Sequence, residues 1–229
     1  MKVIVLGDGL LGSEIIQQTG WDYISRKKDG FDIRYSDYQK FNLQAYNVII
    51  NCIAFTDTYS KNKENHWDVN YKSVVRLSNF CETYNIKLVH ISSDYVYANS
   101  ISEASEEDVP VHQNNWYSYT KLLGDSYVQL NLNNLVLRGT HKIKPFPYPS
   151  SWINQIGNFD YVDKIAELII KLINSNAIGL YNVGTELKTI SHLATQTNPN
   201  SKPIIMDAKQ IPSDISMNIN KLNKWLSEN

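Results

Sequence analysis

Gly7-Asp8-Gly9-Leu10-Leu11-Gly12 stands between an apolar run, Val3–Leu6, and an apolar-periodic stretch around Ile15-Ile16. Glycines placed between a strand and a helix permit a tight turn and close backbone approach, so that a pyrophosphate can rest on the helix N-terminus. The pattern therefore reads as a dinucleotide site formed by Gly7, Gly9, Leu10, Leu11 and Gly12, although glycines also end strands for purely structural reasons. The end of the next strand should select the cofactor. A carboxylate there suits the ribose 2'-hydroxyl of NAD, whereas this chain offers Ser25-Arg26-Lys27-Lys28, cations and a hydroxyl that suit a 2'-phosphate. NADP(H) is the expectation, with NAD(H) left open because Asp29 or Asp32 could still reach the ribose.

Tyr117-Ser118-Tyr119-Thr120-Lys121 sets a phenol and an ammonium four residues apart, on one face of a helix. An ammonium beside a phenol stabilises the phenolate and lowers the tyrosine pKa, which lets Tyr117 pass a proton at neutral pH. The spacing also occurs as an ordinary surface pair. Its weight comes from position, because it follows a strand ending Ile91-Ser92-Ser93-Asp94, at the sheet edge where ligands bind in this architecture. Ser93, Tyr117 and Lys121 then read as a carbonyl-reduction site. Ser93 polarises the oxygen, a nicotinamide supplies hydride, Tyr117 protonates, and Lys121 tunes Tyr117 and holds the nicotinamide ribose.

The elements that must position these groups follow from periodicity. Strands are expected at residues 2–6, 23–25, 47–54, 87–92, 135–138 and 180–183, and helices after Gly12, over about 65–84, over 117–129, over 163–175 with Asp163 capping its first turn, and at the end of the chain near Trp225. Strands alternating with helices imply βαβ units and a doubly wound parallel sheet of the Rossmann type. The division expected is a dinucleotide-binding domain over 1–140 and a small, shortened substrate lobe over 141–229, interleaved with the last sheet elements. Residues 142–157, with Pro145, Pro147 and Pro149, read as a loop across the mouth of the site, and 197–203 as another loop.

With 229 residues, 22 Lys+Arg against 23 Asp+Glu and 42% hydrophobic residues, the chain fits one soluble globular domain with a small appended lobe. Balanced charge gives no basic field for nucleic acid or anionic membrane, and no run approaches the roughly 20 apolar residues of a membrane span. The N-terminal apolar run is too short for a signal peptide, and Cys52 and Cys81 read as buried thiols of a reducing, cytoplasmic protein. The five histidines lack metal-ligand spacing, so no metal is expected.

These segments together resemble the extended short-chain dehydrogenase/reductases and, within them, the dTDP-4-dehydrorhamnose reductase family. The resemblance rests on Gly7–Gly12, Asn51–Asp57, Asp68-Val69-Asn70, His90–Tyr97, and Tyr117–Lys121 with Leu122-Leu123-Gly124-Asp125, and covers about the first 140 residues. It implies that Ala54, Phe55 and Thr56 line the nicotinamide side, that Asp32 and Ile33 lie beside the adenine, and that Ser93 and Asp94 contact the sugar. Asn70 resembles a frequent asparagine of the helix behind the site, for which a local helix hydrogen bond is an equally good reading. Where the family commonly has a tryptophan that packs on the substrate, this chain has Gly139-Thr140-His141, which makes His141 a substrate-side candidate. The implied activity is NADPH-dependent reduction of the 4-keto group of a nucleotide-linked 4-keto-6-deoxy sugar, as in rhamnose biosynthesis, with a nucleotide sugar as ligand and a homodimer left open. A nucleotide-sugar 4-epimerase, a bifunctional epimerase/reductase and a non-catalytic NADP-binding regulatory subunit are the alternatives.

Overall fold

A computed structural model describes residues 1–206 and 211–229. In chain order it has β1 (Val3–Leu6), α1 (Leu10–Thr19), β2 (Asp22–Ile24), α2 (Arg26–Asp29), β3 (Val48–Asn51), α3 (Lys63–Trp67), a π-helical turn (Asp68–Lys72), α4 (Ser73–Thr83), β4 (Lys87–Ile91), α5 (Trp116–Val128) and β5 (Leu135–Arg138). There follow β6 (His141–Lys142), β7 (Ser150–Trp152), β8 (Ile156–Gly157), β9 (Asp160–Tyr161), α6 (Val162–Asn174), β10 (Gly179–Asn182), β11 (Lys188–Thr189), α7 (Ile190–Thr195), β12 (Lys202–Ile204), β13 (Asp214–Ile215) and α8 (Asn220–Glu228).

The main sheet is parallel throughout, in the order β10-β5-β4-β3-β1-β2. All four residues of β1, β3 and β5 are buried, as uninterrupted apolar runs require of strands covered on both faces. Successive side chains feed opposite cores. Val3, Val5, Val48, Ile50, Val89 and Leu137 pack with α1, α6 and α8, while Ile4, Leu6, Ile49, Leu88 and Val136 pack with α4 and the segment Phe31–Leu43. This is the doubly wound Rossmann arrangement read from the sequence.

Two helical expectations change in detail. The helix expected over 65–84 starts at Lys63 and is interrupted by the π turn, which carries the buried Asn70; such turns re-aim side chains and gather at functional sites. Asp163 does not cap α6, which begins after Tyr161 without a side-chain cap. Oδ2 of its carboxylate pairs instead with Lys144, and Oδ1 is buried.

Residues 142–157 are a loop only in part: 143–149, which carry the three prolines, form neither helix nor strand, while Lys142, Ser150–Trp152 and Ile156–Gly157 pair into sheets. They supply strands to a small lobe, in which β8 lies between β11 and β13 and β7 pairs with β12, the latter occupying part of the loop expected at 197–203. The lobe has its own core of Phe146, Phe159, Tyr161, Ile190, Leu193 and Ile215. Burying Phe146 anchors the stretch 143–149 to this core, while Pro145, Pro147 and Pro149 keep that stretch out of helix and strand. Among the described residues no helix is long and apolar enough to cross a membrane.

Candidate active site

From β1 the chain passes to β2 on one side and then returns to β3 on the other, so the connections after β1 and β3 part and open a crevice at the C-terminal edge of the sheet. A cleft of about 600 Å³ occupies it, walled by Gly7–Leu11, Arg26, Phe31–Ile33, Cys52–Thr56, Tyr117, Lys121 and Gly139–His141.

Glycine is required at two points of the cradle. Gly7 has φ +96°, and a Cβ there would lie 2.8 Å from Ile53 Cγ1. A Cβ on Gly12 would lie 2.1 Å from the Gly7 carbonyl oxygen, so Gly12 sits behind the cleft and holds α1 against the turn. Gly9 caps α1 with no side chain, which leaves the first amides of a ten-residue helix facing the space where a pyrophosphate fits. The residues present therefore suit a dinucleotide.

At the end of the cleft expected to lie beside the adenine, the structure differs from the sequence reading. Ser25 is buried, donates through Oγ to Asp8 Oδ2 at 2.9 Å and accepts from the Lys28 amide; it caps α2 and is turned away from the cleft. Lys27 does not border the cleft either, and Lys28 lies over the Tyr23 ring at 3.8 Å. Of that stretch Arg26 alone borders the cleft, and its guanidinium binds Asp32. Arg34, which the sequence reading passed over, grips the same carboxylate at 3.0 and 2.7 Å. The two cations and the Arg34 amide hold Asp32 down at about 2, with the Arg34 hydrogen bond the largest influence. Asp29 accepts from the Ser25 amide.

Ala54, Phe55 and Thr56 line the middle of the cleft. Asn70 holds this segment by accepting from the Phe55 amide at 2.8 Å and donating to the Phe55 carbonyl at 3.1 Å. Its role is thus neither local nor helical, and α5 crosses it so closely that a Cβ on Gly124 would lie 2.4 Å from the Asn70 carbonyl oxygen.

At the far end α5 brings Tyr117 and Lys121 to the cleft, its start set by Asn115, which accepts from the Ser118 amide at 2.8 Å. The expected depression of the phenol is absent. Burial pushes Tyr117 up to about 12, against a smaller opposite pull from its hydrogen bond with Ser93. Lys121 donates to the Ile91 carbonyl at 2.6 Å, and burial lowers its ammonium to about 8. Desolvation decides the phenol, Lys121 is not among the groups that shift it, and Tyr117 is held as a protonated acid.

Ser93 and Asp94 lie just behind this end, buried at 2% and 0% exposure. Ser93 Oγ donates to Asp94 Oδ1 at 3.3 Å and accepts from the Tyr95 amide. Burial raises Asp94 to about 6, opposed by Lys142 and by hydrogen bonds from Thr140 and Ser93, and its Oδ2 has no partner. His141 borders the cleft, and burial together with Lys142 lowers its imidazole to about 4, leaving it neutral. Thr140 was also missed from the sequence; it has no motif and is recognised by what it faces.

A model of the protein family described as the RmlD substrate binding domain matches residues 1–141. The spore coat polysaccharide biosynthesis protein SpsK of Bacillus subtilis (strain 168) is 24% identical over 216 residues, covering 80% of this chain and 72% of SpsK. Among solved structures, dTDP-4-dehydrorhamnose reductase from Bacillus anthracis in complex with NADP superposes with a TM-score of 0.81 at 23% identity, over 98% of this chain and 92% of that one. UDP-glucuronic acid 4-epimerase from Bacillus cereus in complex with NAD gives 0.78 at 18% identity, over 100% and 91%. With the matched residues spanning the crevice, Tyr117, Lys121 and the strand ends that face them, the chain belongs to the RmlD substrate binding domain family.

Proposed function

We propose that the chain is an NAD(P)H-dependent reductase of the 4-keto group of a nucleotide-linked 4-keto-6-deoxy sugar, with dTDP-4-dehydrorhamnose the first substrate to try. The observation that carries this reading is that one cleft contains both the glycine cradle at Gly7–Leu11 and the pair Tyr117 and Lys121. A bound nicotinamide supplies the hydride. Tyr117, kept protonated by burial, donates the proton that the new alkoxide needs. Ser93, hydrogen-bonded to Tyr117 and fixed by the Tyr95 amide, orients the carbonyl oxygen toward that phenol. Lys121, fixed on the Ile91 carbonyl, places a positive charge beside the ribose and the developing oxyanion. Asp94 and the neutral His141 offer an acceptor and an imidazole to sugar hydroxyls, in place of an aromatic plane.

NADP(H) is the cofactor proposed, read by Arg26. Asp32 keeps a second reading alive, since a carboxylate bordering the cleft suits the ribose diol of NAD and thereby an epimerase that recycles a resident cofactor. The two separate on one assay: loss of NADPH absorbance with enzymatically made dTDP-4-dehydrorhamnose, beside Tyr117→Phe. Stoichiometric NADPH consumption, reduced about 10²–10⁴-fold by the substitution while NADPH still binds, supports the reductase. Epimerisation with NAD that co-purifies and is never consumed rejects it.

A further inference from the structure

α5 presents Tyr117, Lys121 and Asp125 at successive four-residue steps, one stripe of the helix. Asp125 does not border the cleft and is completely buried. Its carboxylate accepts from Ser92 Oγ at 2.7 Å, from Arg138 Nε at 2.8 Å and Nη2 at 3.0 Å, and from the Gln129 amide group. Arg138, 2% exposed, donates its remaining nitrogen to the Tyr97 hydroxyl. Ser92 immediately precedes Ser93, and Arg138 immediately precedes Gly139-Thr140-His141, so this carboxylate joins the three segments that deliver the chemistry: the end of β4, the end of β5 and α5.

We propose that Asp125 is the positioning residue of the site, a buried carboxylate that sets the register of Ser93, Tyr117 and His141 and supplies the counter-charge of Lys121. The inference rests on the reductase reading for its consequence in catalysis; its effect on Lys121 rests on the four-residue step that puts the two side chains on one stripe of α5. The groups facing Lys121 are Asp125 on its own helix, Tyr117 one turn earlier, Cys52 after β3 and His90 on β4. The Tyr117 phenol and the Cys52 thiol are both pushed up to about 12 by burial, and His90 is buried and held neutral. Asp125 is the anion of the set. Its charge favours the ammonium against the burial that lowers it, while Arg138 grips the same carboxylate through Nε and Nη2 and holds it in place.

The test is the titration of the Lys121 side-chain nitrogen in the full chain, with ¹⁵N-labelled lysine and Lys121→Arg for assignment. Asp125→Asn should lower the Lys121 midpoint by about one pH unit or more, a tenfold change in its ionisation, and Asp125→Glu should restore it. If Asp125→Asn leaves Arg138 unpaired and the chain fails to fold, Asp125→Asn with Arg138→Gln is compared with Arg138→Gln alone, so that the difference removes only the carboxylate charge and should show the downward shift. The alkaline limb of kcat/KM should move with the midpoint. A folded variant with an unmoved Lys121 midpoint overturns the proposal, since a purely structural contact would change stability without moving that titration. Because the amine is read without substrate, failure of the reductase reading would appear separately, as a wild-type chain that titrates as expected but turns nothing over.

Discussion

Asn70→Ala offers a sharp test of how the cleft is held. The side chain is 1% exposed and makes two hydrogen bonds to one residue, the Phe55 amide at 2.8 Å and the Phe55 carbonyl at 3.1 Å. Each contributes about 0.5–1.5 kcal/mol net, and a backbone group left without a partner away from water costs about 1–3 kcal/mol. Phe55 is half-buried, so water recovers part of that loss, and the expected destabilisation is about 2–3 kcal/mol. For a chain of 229 residues this is a fall in Tm of roughly 5–10 °C, or a lower urea midpoint at unchanged slope. Freed from Asn70, Ala54–Thr56 should hold NADPH about tenfold less tightly, equivalent to about 1.4 kcal/mol. Asn70→Asp should not rescue either quantity at neutral pH, because it keeps the acceptor for the Phe55 amide but faces the Phe55 carbonyl with a buried negative charge. A loss below about 1 kcal/mol with unchanged NADPH affinity, measured by urea unfolding and fluorescence titration, would show that the Asn70 side chain does not hold Phe55 and would refute the clamp.

Gly12→Ala should cost about 1–3 kcal/mol or more and weaken NADPH binding, because its Cβ meets the Gly7 carbonyl oxygen at 2.1 Å; Gly9→Ala, with nothing within 4 Å, should leave stability nearly unchanged, and equal unfolding midpoints for the two would contradict this packing. Arg26→Ala should narrow the ratio of NADPH to NADH affinity by roughly 10- to 150-fold, the worth of a charge-assisted hydrogen bond; an unchanged ratio rejects Arg26 as the 2'-phosphate reader. Asp94, raised from 3.8 to about 6 by burial, binds protons more tightly folded than unfolded. Its contribution to stability is therefore present below pH 3.8 and is lost as pH rises toward about 6. Unfolding of Asp94→Asn should lack this decline, about 3 kcal/mol in all, and parallel stability–pH curves for the two proteins would argue against an Asp94 whose burial outweighs its partners.

What the amino-acid sequence determined by itself is what neighbouring residues encode. The apolar runs at Val3–Leu6 and Val48–Asn51 specify strands buried on both faces, Gly7–Gly12 specifies a tight turn into a helix, and the four-residue step from Tyr117 to Lys121 puts both on one face of α5, so the fold class and most of the cleft were legible. The tertiary structure alone decided the rest. Asp32 is gripped by Arg26 and Arg34 while Ser25 turns inward to Asp8, Asn70 reaches fifteen residues back to Phe55, and Asp125 on α5 binds Ser92 just past β4 and Arg138 on β5. Nothing in the spacing of these residues announces their pairing, because it depends on where the chain returns. The Tyr117 phenol shows the same division: its place on the helix is local, but its ionisation depends on how much water the assembled protein excludes around it, and that burial raises a pKa that the nearby lysine was expected to lower.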